Sequence, residues 1–243
     1  MLNTFDIKTS DINDIKHTDS PYALLCNAND IQTKDIPLLA SKLLSEHELK
    51  LMQRRKKITA KKEYIASRFL IKSLISKNLN LPYEQLELRF NSQNNKLQAI
   101  FQSQSVAVDI SLAHSKGMIF FALSFAFSHI KTTLGVDIEE QNMKRDIVSV
   151  AEAFFHPDEV NTLTRRDYAK FYQLWTLKES LAKATGQSVF ELLAQDTMLL
   201  LKEYQYALYQ HANFQLAAIH NNQVNPMPCY LLDLEPLLNN HHE

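Results

Sequence analysis

Glycine is nearly missing from this chain: 243 residues contain three, Gly117, Gly135 and Gly186. A Walker phosphate loop needs two glycines about five positions apart, and a dinucleotide fingerprint needs three close together. Neither is present. Cysteine is as scarce. Cys26 and Cys229 lack the paired spacing of a zinc or thioredoxin-type site and the density of a disulfide scaffold, so a reducing compartment is expected. No cationic segment followed by an apolar run opens the chain, which argues against a secretory signal. The longest apolar stretch, Gly117 to Phe127, is about half of what a membrane span requires. A cytoplasmic protein without a membrane partner is therefore expected. A charge excess is missing too: 26 Lys+Arg face 27 Asp+Glu, a formal net charge of −1. Without a global field to hold nucleic acid, any phosphate binding has to come from a local cluster.

What remains is ordinary globular material, 45% hydrophobic and 22% charged. It suffices for one large domain or two of about 120 residues each. Residues from Lys34 to Ile75 are largely helical in pattern. Ser45-Glu46-His47-Glu48 reads as a capped helix start, and Tyr64, Ile65, Phe69 and Ile71 to Ile75 give an amphipathic helix. Leu86 to Phe90 alternates as a strand, and Val106 to Ser111, Met118 to Phe127 and Thr133 to Ile138 are rich in β-branched and aromatic residues. Ser128 to Thr132 is short enough to join the last two as a hairpin. Helices return at Asp146 to Phe155, Pro157 to Leu163 and, most strongly, Ala169 to Ala184, which stops before Gly186. Phe190 to Leu234 mixes short strands and turns. A faint internal echo runs through this order: a shift of 111 positions carries Glu48, Arg54 and Arg55 onto Glu159, Arg165 and Arg166, and a shift of 108 carries Tyr64 onto Tyr172. Two similar α+β halves, residues 1–127 and 128–243, are expected.

Four groups of residues are suited to chemistry. In Gly135-Val136-Asp137-Ile138-Glu139-Glu140, alternation on a strand sends Val136 and Ile138 to the core and Asp137 and Glu139 together to the other face. Paired carboxylates on a rigid strand suit Mg²⁺, which takes one or two carboxylates plus substrate phosphate oxygens; an outward polar strand face would show the same pattern. In Phe171 to Lys183, Trp175, Glu179 and Lys183 fall at i, i+4 and i+8. This is an ordinary helical Glu-to-Lys pair when taken alone, but beside the strand acids it supplies a third carboxylate and a cation for phosphate charge. His114, at the end of Asp109-Ile110-Ser111-Leu112-Ala113-His114 before Ser115-Lys116-Gly117, is placed to donate to a phosphate. Arg54, Arg55, Lys56, Lys57, Lys61 and Lys62 fall within nine residues, with Arg68 beyond them. They form a local anion site or a solvated face, and without interleaved aromatics they do not suit single-stranded nucleic acid.

The order AHSKG, then GVDIEE, then FYQLWTLKESLAKATG closely resembles the 4′-phosphopantetheinyl transferases of the larger, surfactin-synthetase-activating type, over about Leu44 to Gly186. The resemblance implies transfer of the phosphopantetheine arm of coenzyme A to a serine of an acyl or peptidyl carrier protein, with 3′,5′-ADP leaving, by a monomeric enzyme built as a pseudo-twofold pair of α+β halves. It further implies that Asp137, Glu139 and Glu179 hold Mg²⁺, with Mn²⁺ as the alternative ion. Lys183 would neutralise charge on the transferring phosphate, and His114 would touch the nucleotide phosphates. Arg68, Arg54 and the neighbouring basic run match loosely the N-terminal cations that hold the 3′-phosphate, and Lys96 stands at the lysine of a further coenzyme A-binding loop. Two departures stand out: the family usually has Ser where this chain has Ala113, and Gly-Lys-Pro where it has Asn95-Lys96-Leu97.

Phosphoryl-type transfer depends on positioning and charge neutralisation, and a serine hydroxyl needs a base within hydrogen-bond reach. Glu179 is the expected base, and Lys183 an electrostatic stabiliser. Two other classes share these residue types: a metal-dependent phosphodiesterase, which near-neutral charge disfavours on nucleic acid, and a non-catalytic relative that binds coenzyme A or a carrier without turnover.

Overall fold

The computed structural model describes residues 2–15, 20–125, 133–221 and 227–234. The first strands are β1 (Thr4–Phe5), β2 (Ile7–Ser10) and β3 (Tyr22–Asn27), followed by helices α1 (Ile36–Leu43), α2 (Glu46–Gln53) and α3 (Ile58–Leu79). A run of strands comes next: β4 (Leu86–Asn91), β5 (Lys96–Phe101), β6 (Gln104–Ser105), β7 (Val108–Ser115), β8 (Met118–Phe125) and β9 (Leu134–Glu140). Helices α4 (Ile147–Phe154), α5 (Pro157–Asn161), α6 (Tyr168–Thr185), α7 (Val189–Leu193) and α8 (Thr197–Leu200) lead to β10 (Gln205–His211), β11 (Phe214–His220) and β12 (Cys229–Leu232). The fold is mixed α+β, as the pattern of the sequence indicates. No helix among the described residues is long and apolar enough to cross a membrane.

Two sheets form the frame. One has the order β1-β10-β11-β9, the other β2-β12-β3-β8-β7-β5-β4 with β6 on β5. Strands from opposite ends of the chain meet in both: β1 lies parallel to β10, and β12 lies parallel between β2 and β3. Between the sheets, Ala23 and Leu25 of β3 and Phe120 and Ala122 of β8 pack with Leu134, Val136 and Ile138 of β9 and with Leu216 and Ala218 of β11. The opposite side chains of β3 and β8, Leu24, Cys26, Ile119 and Phe121, lie under Ile65, Leu70, Ile71 and Leu74 of α3. Burial on both faces explains why Tyr22–Asn27 is a continuous apolar run rather than an alternating one. On the outer face of the smaller sheet, Leu177 and Leu181 of α6 meet Leu208, Ala217 and Ile219. Burying each such leucine contributes about 1.5–3 kcal/mol relative to exposure.

Expected and observed elements differ at several places. No strand is expected from the sequence before Lys34, where β1, β2 and β3 lie. Ser128 to Thr132 lies outside the described residues, but the strands flanking it are not hairpin partners: β8 pairs with β3 and β7, whereas β9 pairs with β11. The free edge of β9 is instead met by hydroxyls of β7, since Val136 N–H donates to Ser111 Oγ at 3.0 Å and Glu140 N–H to Ser115 Oγ at 3.4 Å. Phe190 to Leu234 contains two short helices and a seven-residue hairpin pair rather than only short strands.

The internal echo has a structural content. Glu48, fully buried, accepts from Lys72 Nζ at 3.1 Å and from Leu88 N–H at 2.9 Å, and Lys72 also donates to Leu43 O at 2.9 Å and lies over the Tyr83 ring. Glu159 repeats the arrangement with Lys178, which donates to Leu193 O and lies over Phe155, and with Thr197 N–H at 2.8 Å. Burial pushes both ammonium groups below their usual range, and the paired glutamates oppose that shift. Each pair ties a short helix to the long helix behind it. Removing one partner of such a pair typically costs about 3–5 kcal/mol because the other charge is stranded.

Gly135 decides how close α6 comes to β9. A Cβ built there would sit 1.9 Å from Ser180 O and 2.7 Å from Ala184 N, both helix backbone atoms. Gly135→Ala is therefore expected to push α6 away and destabilise the protein by about 1–3 kcal/mol, read as a lower urea midpoint. An unchanged midpoint would mean that the helix tolerates a wider spacing.

Candidate active site

Because Leu134, Val136 and Ile138 face the inter-sheet core, Gly135, Asp137 and Glu139 fall on the face that α6 covers. Gly135 is the crossing point, and Glu179 and Lys183 flank it on the helix. Asp137 is 5% exposed, not a solvent-facing strand residue. Its Oδ1 accepts from Lys183 Nζ at 2.7 Å, while its Oδ2 is buried without a hydrogen-bond partner. Burial first, then the charges of Asp137 and Glu179, push the Glu139 carboxyl up to about 7, against the pull of Arg145 and Lys183. Burial and Asp137 likewise raise Glu179, with Lys183 opposing. Three carboxylates thus share one wall with one ammonium.

Among the described residues no group of three or more His, Cys, Asp or Glu is gathered closely enough to hold a metal ion. Lys183 takes one oxygen of Asp137. The donors nevertheless fit a hard divalent cation, since an orphaned carboxylate oxygen lies beside two acids whose charge burial opposes. Mg²⁺ in particular needs only one or two protein carboxylates when phosphate and water complete its shell.

A cleft of about 660 Å³ collects Arg55, Arg68, Lys96, His114 and Lys183, with Leu51, Phe90, Leu97 and Leu112 as its apolar lining. Arg54, expected among the phosphate-binding cations, is exposed and does not line the cleft; its neighbour Arg55 does. The difference arises beyond the end of α2, where chain direction rather than sequence spacing decides which of two adjacent arginines turns inward. Tyr64 sits between two guanidinium groups, Arg55 at 4.2 Å and Arg68 at 4.0 Å from its ring centroid. Arg68 is 8% exposed and its Nε has no hydrogen-bond partner, so a buried cation with a spare donor lines the cleft. A second cleft of about 760 Å³ shares Asn95, Lys96, Leu97 and Ile110 with the first and reaches Gly186 and Tyr204.

His114 stands where β7 turns into β8. The two-residue turn has Lys116 at φ +53° and Gly117 at φ +91°, and a Cβ on Gly117 would meet the Asn29 side chain at 2.1 Å. Glu63 of α3 reaches this turn, accepting from Gly117 N–H at 2.8 Å and lying 3.1 Å from His114 Nδ1. Trp175 does not join the acids. It stacks on Phe171 at 5.8 Å beneath Arg145, whose guanidinium lies 4.8 Å from the Trp175 ring. Sequence reasoning passed over Glu63, Tyr64 as the spacer between arginines, and Arg145. Only the Tyr64 to Arg68 spacing of one helical turn carried a signal.

The raised Glu139 carboxyl has a consequence for stability. Between about pH 4.5 and about pH 7 the folded protein keeps a proton that an unfolded Glu139 has released. Stability therefore falls as pH rises through that window. In chelator, Glu139→Gln should become progressively more stable relative to the parent protein from the lower to the upper limit, measured by urea unfolding. Parallel stability curves would show that the carboxylate is not held against its charge.

Part of the chain is similar to known proteins. Residues 133–230, which include β9 and α6, match the 4′-phosphopantetheinyl transferase superfamily. The 4′-phosphopantetheinyl transferase psf-1 of Bacillus pumilus is 31% identical over 57% of this chain and 56% of its own length. The transferase gsp of Aneurinibacillus migulanus is 27% identical over 50% of this chain and 47% of its own, and HetI of Nostoc sp. is 26% identical over 54% and 55%. The chain thus spans about half the length of these relatives. Over residues 133–230, the segment that carries Asp137, Glu139, Glu179 and Lys183, this chain is similar to the 4′-phosphopantetheinyl transferase superfamily.

Proposed function

We propose that the protein transfers the 4′-phosphopantetheine group of coenzyme A to a serine of an acyl or peptidyl carrier protein and releases 3′,5′-ADP. The observation that carries this reading is the meeting, at Lys183, of an acidic wall with a cleft lined by cations. A pyrophosphate ester bearing a further phosphate needs both: cations for its outlying phosphate, and acids for the metal that accompanies its pyrophosphate.

In this reading residues 1–127 contribute Arg55, Arg68, Lys96 and His114 to the phosphates, and residues 128–243 contribute the acids and Lys183. Asp137, Glu139 and Glu179 would hold Mg²⁺, which when bound supplies positive charge against the pyrophosphate. The carrier serine Oγ forms a bond to the phosphorus that bears pantetheine, while the bond from that phosphorus to the oxygen of 3′,5′-ADP breaks. Glu179 takes the serine proton. Lys183, bonded to Asp137 and lining the cleft, presents its ammonium to the phosphoryl oxygens, whose charge must be stabilised as the bond changes.

Incubation with an apo carrier protein, coenzyme A and Mg²⁺ should add one phosphopantetheine to the carrier, detected by mass spectrometry. Asp137→Asn, which keeps the side-chain shape, should retain the fold and lower turnover by about 10²–10³-fold, the usual scale for losing one electrostatic stabiliser. No addition to any of several carriers, with a known transferase succeeding alongside, would sink the proposal.

A further inference from the structure

We infer that Glu63 is a positioning residue that fixes the ring of His114 for phosphate contact. This role rests on the coenzyme A reading above. The Glu63 side chain is 8% exposed, whereas that of His114 is 57% exposed. Packing therefore does not set the His114 rotamer; a buried carboxylate does. Burial works against the charge of Glu63, but contact with His114, the Gly117 N–H and the Arg55 charge outweigh it, so the carboxyl lies below its usual range. It remains an anion at neutral pH.

The two oxygens do different work. Oε1 accepts from Gly117 N–H at 2.8 Å and locks the turn, and Oε2 faces His114 Nδ1 at 3.1 Å. A carboxylate only accepts, so the contact requires the proton on Nδ1 and leaves Nε2 as the free edge of a ring that lines the cleft. Carboxylates that orient histidine in this way set which nitrogen serves the functional partner. Glu63 is also one residue before Tyr64, the spacer of Arg55 and Arg68, so a single turn of α3 organises three cationic side chains of the cleft.

Glu63→Gln, His114→Ala and the double variant separate this role from turn stability. The affinity of each for coenzyme A is measured by calorimetry, and turnover with a carrier in parallel. Each single variant should bind coenzyme A about ten-fold more weakly, the scale of one charge-assisted hydrogen bond, with the KM for coenzyme A raised by a larger factor than kcat is lowered. The double variant should bind no more weakly than His114→Ala. Nitrogen-15 spectra of the unliganded protein should show His114 protonated at Nδ1, and a mixture of tautomers in Glu63→Gln. Multiplying losses in the double variant, unchanged affinity in a folded Glu63→Gln, or a His114 Nδ1 without its proton would each overturn the assignment. Failure of the parent protein to bind coenzyme A would overturn the functional reading and the phosphate role with it. The spectra decide the Glu63–His114 pairing in either case.

Discussion

The approach of α6 to β9 governs this molecule. Gly135 has no side chain because the Ser180 carbonyl occupies the space where one would be. The helix is held down from several sides: Ser180 Oγ donates to Ala217 O at 2.9 Å, Leu177 and Leu181 pack on the smaller sheet, and Gly186 closes the helix in the left-handed conformation with its N–H on Ala182 O. Side chains from a strand and a helix that are distant in sequence are thereby brought to one wall. Moving the helix outward by the width of a methyl group would separate the Lys183 ammonium from Asp137 and relax the crowding that raises Glu139 and Glu179.

That crowding is stored electrostatic energy. Carboxylates that share a poorly hydrated wall with one ammonium are under-neutralised, and an added cation relieves them. On the other side of Lys183 the imbalance has the opposite sign, with Arg55, Arg68, Lys96 and His114 lining one cleft. A near-neutral chain thus carries two strong local fields of opposite sign next to each other. A ligand with both phosphate oxygens and a bound divalent ion complements them together.

The twin buried pairs, Glu48 with Lys72 and Glu159 with Lys178, serve a different end. Each spends the glutamate on a backbone N–H some forty positions onward and the lysine on a carbonyl, so every buried charge is met. Such pairs contribute modestly to net stability but strongly penalise any packing that separates the partners. They fix α3 and α6, the two helices that supply Arg68 and Lys183 to the cleft.

Much of this was legible in the chain itself. The alternation of Val136 and Ile138 with Asp137 and Glu139 set the faces of β9, Gly186 set the end of α6, and the recurrence of Glu48 at Glu159 marked the paired construction. These are local or periodic signals, and backbone geometry translates them directly. The pairing of β9 with β11 rather than β8, the inward turn of Arg55 rather than Arg54, and the reach of Glu63 to His114 were decided only in three dimensions. The strand pairing and the Glu63 contact depend on which surfaces bury against one another across 50 or more residues, and no spacing along the sequence encodes that distance. The sequence by itself determined the chemical inventory and which side of each element carries it. The tertiary structure decided which charges face each other, because burial and proximity, not composition, set how strongly they interact.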